Sequence, residues 1–282
     1  MQQLAGLQLD DFLTNGYLVI ENFIEKSTCE KLMQHMDTLI KSHAEEIPTV
    51  AFSTASNSHA KHDYFINSAD KIHFFLEPDA LSGENQLRYP IERCINKVGH
   101  GLHEQDEVFR QFSRDPRIHA ICQQLGFERV GLLQSMYIFK QPSIGDAVNW
   151  HQDSCYLYVE DSDVIGFWFA LEDATIENGC LQAIPCPDTT PLKQRMILDE
   201  KKQAHFIDRH YSQWPIEKKV SLEVKQGSLV LLHGRLPHAS GPNLSSKSRQ
   251  AYALHVIDSS KHYPADNWLQ WPTQIPELEK QV

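Results

Sequence analysis

The chain has 282 residues, 41% of them hydrophobic, and a formal net charge of −11. That length fills one large core, and the acidic balance speaks against nucleic acid or an anionic membrane surface as the main partner. No apolar run approaches the ~18–20 residues that a membrane-spanning helix needs.

From the N-terminus, LQLDDFLTNG predicts a short helix stopped at Asn15-Gly16, with the strand YLVIENF after it. Cys29, Leu32, Met33, Met36, Leu39 and Ile40 recur at helical spacing. They predict a helix over residues 28–43, opened by a capping box of Ser27 and Glu30. Residues 44–63 are small and polar and read as a loop, and KIHFFLE reads as a strand. Residues 91–126 read as two or three helices, the last capped by Asp115-Pro116 and ended by Gly126.

Past Gly131 the period changes from 3.6 to 2. LLQSMYIFKQP, NWHQDSCYLYV, VIGFWFALEDA, GCLQAIP, KVSLEV, GSLVLLHG and SRQAYALHVI are short β-rich runs separated by turn residues. Many short strands with turns between them predict an antiparallel barrel or jelly roll. With no internal repeat and no clean linker, the expectation is one domain over 1–282: mainly helical support over 1–130, a jelly-roll core over 131–260 and a C-terminal tail over 261–282. Residues 189–219 are net basic and read as a solvated loop rather than a lid that attracts an anionic substrate.

The chemistry concentrates in two segments, NWHQDSCYLY with His151 and Asp153, and LPHASGPNLSSKSRQAY with His238 and Arg249. Two imidazoles and one carboxylate occupy one face of an octahedral metal and leave three positions open, the ligand set of non-haem Fe(II) oxygenases. A His-x-Asp pair alone is weak evidence, because 15 His and 18 Asp in 282 residues give roughly one by chance. The decoy His35-Met36-Asp37 falls in the predicted helix, where residues two apart diverge. His151 and Asp153 fall in a β-rich run, where they share a side and can chelate. Cys155 would share that side in a regular strand and line the same pocket.

His233, five residues before His238, is the rival ligand and reads as a partly buried strand histidine with a hydrogen-bond partner. Arg249 opens a strand that carries apolar residues on both faces. A buried arginine needs a partner, and a bidentate carboxylate matches its fork; the plainer reading is a structural salt bridge.

These ordered motifs, from GYLVIENF through INKVGHGLHEQDEVF, QSMYIFKQP, WHQD, ALEDATIENGCL and GSLVLLHG to NLSSKSRQAY, resemble the phytanoyl-CoA dioxygenase family of Fe(II)/2-oxoglutarate oxygenases over nearly the whole chain. The resemblance implies a double-stranded β-helix, iron ligation by His151, Asp153 and His238, and the distal carboxylate of 2-oxoglutarate on Arg249 and Ser240. Likeness to one branch of the family implies that Lys97, Met136 and Trp168 would also contact the co-substrate. Their plain readings are a solvated helix lysine and ordinary core packing. The chain departs from the family where Cys186, Pro187 and Asp188 replace Gly-Ser-His after Pro185, which puts the loop beside the site, and hence substrate choice, in question.

The resulting expectation is a cytoplasmic, monomeric or weakly oligomeric dioxygenase that uses Fe(II), 2-oxoglutarate and O2 to hydroxylate a small molecule, releasing succinate and CO2. The opening MQQLAGLQLDDF lacks the features of a secretion signal, the closing EKQV is not a peroxisomal address, and six cysteines without a C-x-x-C pair read as reduced thiols. Two alternatives remain open: a jelly roll that binds 2-oxoglutarate or metal without turnover, and a cupin-type metal enzyme that uses no keto acid. Substrate-independent succinate formation separates the first, and Arg249→Ala the second.

Overall fold

The computed structural model describes residue 4, residues 6–49, residue 51, and residues 63–83, 86–210 and 213–279. The N-terminal third supplies α1 (Gly6–Asn15), β1 (Tyr17–Ile20), α2 (Lys26–Ser42), α3 (Asp63–Ile66), β2 (Ile72–Leu76), β3 (Ile95–His100), α4 (Leu102–Gln105), α5 (Glu107–Ser113) and α6 (Pro116–Gln124). The remainder is β-rich: β4 (Val130–Ile138), β5 (Val148–His151), β6 (Ile165–Ala170), β7 (Leu181–Ala183), β8 (Gln194–Leu198), β9 (Ala204–Asp208), β10 (Val220–Leu222), β11 (Leu229–His233), β12 (His238–Ser240) and β13 (Ala251–Asp258).

A seven-stranded sheet runs β1-β11-β6-β13-β4-β3-β2, and a four-stranded sheet runs β10-β7-β12-β5. The paired strands are antiparallel. Side-chain alternation divides the large sheet into two faces. Tyr137, Phe167, Phe169, Leu229, Leu231, Tyr252 and Leu254 share one core with Phe12, Leu32, Met36, Phe109 and Ile121 of the helices. Trp168, Ala170, Val230, Leu232, Ala251 and Ala253, one residue out of step, share another with Leu181, Ala183 and Leu222 of the smaller sheet. The expected jelly roll is present, backed by helices on its outer face.

Local signals explain most ends. Gly16, at φ +75°, stops α1. Asp115 accepts a hydrogen bond from Arg117 N (2.9 Å) ahead of Pro116, and Gly126 follows α6 at φ +88°. The capping box is not formed: α2 begins at Lys26 with Glu25 as N-cap and no side-chain cap bond, so Ser27 lies inside the first turn.

Two other expectations are overturned. The first ten residues of the predicted helical stretch 91–126 hold a single 3-10 turn, Ile91–Arg93, and then β3, which pairs with both β2 and β4. Gly99 and Gly101 disfavour helix there, while Ile95 and Val98 suit a strand. Residues 194–208, inside the predicted loop 189–219, are not a loop: β8 and β9 form a hairpin whose Met196 and Ala204 are buried with Leu157, Val159 and Trp268. Arg195 is held by Asp266 and stacks its guanidinium 4.4 Å from the Tyr158 ring, so part of the basic character is internal. Of the predicted loop 44–63, residue 50 and residues 52–62 lie outside the described residues. After Asp258 the chain packs back on β4, with Leu132 N donating to Pro276 O (2.7 Å) and Trp271 Nε1 to Leu133 O (2.9 Å).

Candidate metal centre and co-substrate pocket

The inner face of the large sheet is a floor of small residues. Along its rows, Lys97, Ile138, Ala251 and Ala170 lie side by side, then Gly99, Met136, Ala253 and Trp168, then Gln134, His255 and Gly166. Alanines and glycines at the centre leave space between the sheets, a cavity of about 360 Å³. The eight residues that the family resemblance implies for metal and co-substrate, Lys97, Met136, His151, Asp153, Trp168, His238, Ser240 and Arg249, all line it.

His151 is the last residue of β5 and faces His238, the first residue of β12, in direct register; their rings lie 4.2 Å apart. Adjacent strand ends therefore unite histidines 87 residues apart. Asp153 is not on the strand: it starts a 3-10 turn, Asp153–Cys155. Gln152 between them is extended (φ −118°, ψ 134°), and that one residue keeps both side chains on one side. Gln152 is itself pinned, donating to Pro191 O (3.1 Å) and Arg235 O (2.6 Å) and accepting from Lys193 N (2.8 Å).

Asp153 Oδ1 lies 3.5 Å from His151 Nε2 and 3.7 Å from His238 Nε2, and one donor atom from each residue falls within 4.8 Å of the others. Each imidazole turns Nδ1 to the carbonyl two residues back, Asn149 O at 2.8 Å and Leu236 O at 3.1 Å. A carbonyl accepts only from a protonated Nδ1, which turns Nε2 of each ring toward Asp153, the nitrogen a metal would take. Burial lowers the His151 imidazole, but the Asp153 carboxylate and the backbone contacts outweigh that effect and raise the ring above its usual value, so a metal would displace a proton there. Burial pushes the Asp153 carboxyl up, but His238, His255 and His151 outweigh it and hold it well below the usual carboxylate range. Burial and the neighbouring His151 bring His238 down to about 4. Both are therefore deprotonated at neutral pH. Three donors and an adjoining cavity suit an open metal site better than a closed structural one.

Arg249 lies two residues before β13, tied to β4's extension by paired backbone bonds with Lys140 (3.0 and 3.1 Å). Its side chain is 1% exposed, yet Nε and Nη1 have no hydrogen-bond partner among the described residues; the same holds for Ser240 Oγ. Its guanidinium carbon stands 5.3 Å from the Trp168 ring centre. A buried fork with no carboxylate of its own is a place for one brought by a ligand. Lys97 sits on β3, not on a helix, 6% exposed, with Nζ 5.1 Å from the Phe65 and Phe75 ring centres.

His233 is the buried strand histidine with a hydrogen-bond partner that the sequence suggests: it has the outer-face parity of Leu229 and Leu231, its ring meets Phe12 at 6.0 Å and its Nδ1 accepts from Arg235 N (3.3 Å), so it takes no part in the cluster. Two other sequence readings change. Cys155 does not line the cavity. Buried in the turn, its thiol is pushed up to about 12 by burial and turns toward Gln194 and Met196. The departure at Cys186-Pro187-Asp188 also lies off the cavity, with Cys186 N and Asp188 N donating to Asn15 O and Leu13 O of α1 (both 3.1 Å). The sequence reading missed His255, whose Nε2 lies 3.2 Å from Asp153 Oδ2. The period-2 series Arg249, Ala251, Ala253, His255 already placed it on the inner face.

The fold and this cluster define a double-stranded β-helix with an inward-facing two-histidine, one-carboxylate centre. Residues 12–251 match the model of the family described as Phytanoyl-CoA dioxygenase (PhyH). The chain belongs to the phytanoyl-CoA dioxygenase family. It is 41% identical over 271 residues to "Phytanoyl-CoA dioxygenase" of Arabidopsis thaliana, covering 96% of this chain and 94% of that protein. It is 37% identical over 288 residues to "Phytanoyl-CoA dioxygenase domain-containing protein 1" of Rattus norvegicus, covering 98% of each. Among solved structures, EctD from S. alaskensis with 2-oxoglutarate and 5-hydroxyectoine superposes with a TM-score of 0.65 at 18% identity, covering 98% of this chain and 86% of that one. The carbocyclase SnoK from nogalamycin biosynthesis gives 0.64 at 16%, covering 98% and 94%. At such identities the likeness is one of fold. No helix among the described residues is long and apolar enough to cross a membrane.

Proposed function

We propose that this protein is an Fe(II)- and 2-oxoglutarate-dependent dioxygenase that hydroxylates a small organic molecule. The observation that carries the reading is Arg249, a buried guanidinium with two nitrogens lacking a partner among the described residues, on the wall of the same cavity as the triad. His151, Asp153 and His238 would hold the iron, and Arg249 with Ser240 would hold the distal carboxylate of 2-oxoglutarate. Met136 and Trp168 would keep water from that charge pair, which strengthens it. Bound there, the iron with its keto acid and O2 supplies the oxidation, and the keto acid leaves as succinate and CO2. The residues position the reactants and exclude water. In this reading the whole chain, 1–282, works as one catalytic unit.

A cavity of about 360 Å³ is at the small end of ligand pockets and must hold the co-substrate too. The substrate, or the part that reacts, is therefore of small-metabolite size. Fe(II), 2-oxoglutarate and air should yield succinate, faster with the right metabolite. A metal-loaded protein that releases none across a metabolite screen would remove this reading.

Lys97 supplies a pH test. Burial lowers its ammonium to about 7, and an anionic co-substrate favours the charged form. Affinity for 2-oxoglutarate is then full below pH 7 and falls as pH rises past it, by up to about tenfold per unit. Lys97→Met should weaken binding at pH 6.5 and flatten the slope; titrations at pH 6.5, 7.5 and 8.5 check both. The stability effect has the opposite sign. A folded value below the ordinary 10.5 means the buried charge costs stability most below pH 7, a cost that vanishes between 7 and 10.5.

A further inference from the structure

We propose that His255 is a positioning residue for the metal centre: its Nε2–H donates to Asp153 Oδ2 and leaves Oδ1 alone for the ion. The proposal rests on the metal reading above. Each triad residue has a second contact that orients it. For His151 and His238 that contact is a main-chain carbonyl, Asn149 O and Leu236 O. For Asp153 it is a side chain: Oδ1 faces the two imidazoles at 3.5 and 3.7 Å while Oδ2 faces His255 Nε2 at 3.2 Å.

The surroundings of His255 fix which nitrogen carries the proton. The residue is 5% exposed, and its Nδ1 is buried without a hydrogen-bond partner among the described residues. A proton on Nδ1 would bury an N–H with no acceptor and set the Nε2 lone pair against Asp153 Oδ2. A proton on Nε2 satisfies the pair and leaves Nδ1 as a bare ring nitrogen that needs no acceptor. Gly166 lies directly opposite His255 on β6 and borders the pair at ordinary contact distance. A Cβ there would stand 3.4 Å from Asp153 Oδ2 and 3.6 Å from His255 Nε2. A register shift between His255 and Val256 marks the place where β13 departs from regular pairing with β4.

The consequence is a carboxylate held to one coordinating oxygen. With Oδ2 engaged, Asp153 cannot rotate to grip the ion with both oxygens, and the positions for co-substrate and O2 stay open.

The test is Co(II) binding to the purified full chain, followed by visible absorption, whose intensity reports coordination number, with melting temperature measured beside it. His255→Leu should weaken Co(II) binding by about 10- to 100-fold and alter the spectrum. His255→Gln, whose amide nitrogen reaches the Nε2 position, should stay within about threefold of the natural protein with its spectrum kept. If the leucine variant does not fold, His255→Asn replaces it, because the shorter amide stops short of Oδ2. Natural affinity and spectrum in His255→Leu or His255→Asn would overturn the proposal, as would a folded His255→Gln that binds no better than they do. A natural protein that takes up no Co(II) would instead contradict the metal reading, and this inference with it.

Discussion

Asp153→Ala is expected to cut metal-dependent succinate release by more than about 100-fold; the metal-free chain should stay folded but melt lower, because a carboxyl held below its usual range contributes stability at neutral pH and its loss leaves His255 Nε2–H without its acceptor. Loss of a contact that only orients a ligand typically costs 10- to 100-fold, so loss of a ligand should exceed that range. The variant keeps both imidazoles but removes the oxygen that lies 3.5 and 3.7 Å from them. It also removes the carboxylate that His151, His238 and His255 share. The measurement is succinate against time with saturating Fe(II) and 2-oxoglutarate. Turnover within a few-fold of the natural protein would mean that the metal sits elsewhere.

Arg249→Met is expected to move stability and activity in opposite directions. A guanidinium 1% exposed with two unpartnered nitrogens is a cost in the absence of ligand. The Trp168 face and the carboxylates of Glu172 and Glu77 offset it only in part, since burial still brings the group down to about 10. Replacing a poorly matched buried charge with an apolar side chain of similar length is commonly neutral or stabilising by about 1–4 kcal/mol. At ~2–4 °C per kcal/mol, the melting temperature should hold or rise by several degrees. Truncating one partner of a buried charge pair costs about 2–5 kcal/mol of binding, which is ~30- to several thousand-fold in affinity for 2-oxoglutarate. A lower melting temperature with unchanged 2-oxoglutarate use would make Arg249 a structural residue and support the keto-acid-free alternative.

The sequence showed the barrel because its strands alternate: a period of 2 over the second half is a direct imprint of two buried faces. The same alternation separates His233, facing Phe12, from the inward set. Legibility failed where local signals compete. INKVGH carries too few apolar residues to fix a period, so helical neighbours on one side captured it. The hairpin over β8 and β9 was hidden because charge was read as solvation, although Arg195 and Arg209 place their guanidiniums 4.4 and 4.9 Å from the Tyr158 ring.

The candidate site was readable as a set of residues but not as a geometry. His151 and Asp153 do face one way, yet through a single extended residue rather than through a continuous strand. The turn that carries Asp153 is held by tertiary contacts. Ser154 N donates to Gly234 O (2.9 Å), and a Cβ at Gly234 would meet Ser154 Oγ and lie 2.7 Å from Val164 O. Contacts between residues 80 positions apart leave no periodic trace, and nothing local in SRQAYALHVI ties His255 to Asp153, 102 residues away.

One measurement bears most directly on the whole account: a crystal structure of the protein grown without oxygen in Mn(II) and 2-oxoglutarate. The account predicts one ion about 2.0–2.3 Å from His151 Nε2, Asp153 Oδ1 and His238 Nε2, with the far carboxylate of the keto acid on Arg249. An ion held by other residues, or a keto acid that leaves Arg249 without a partner, would contradict it.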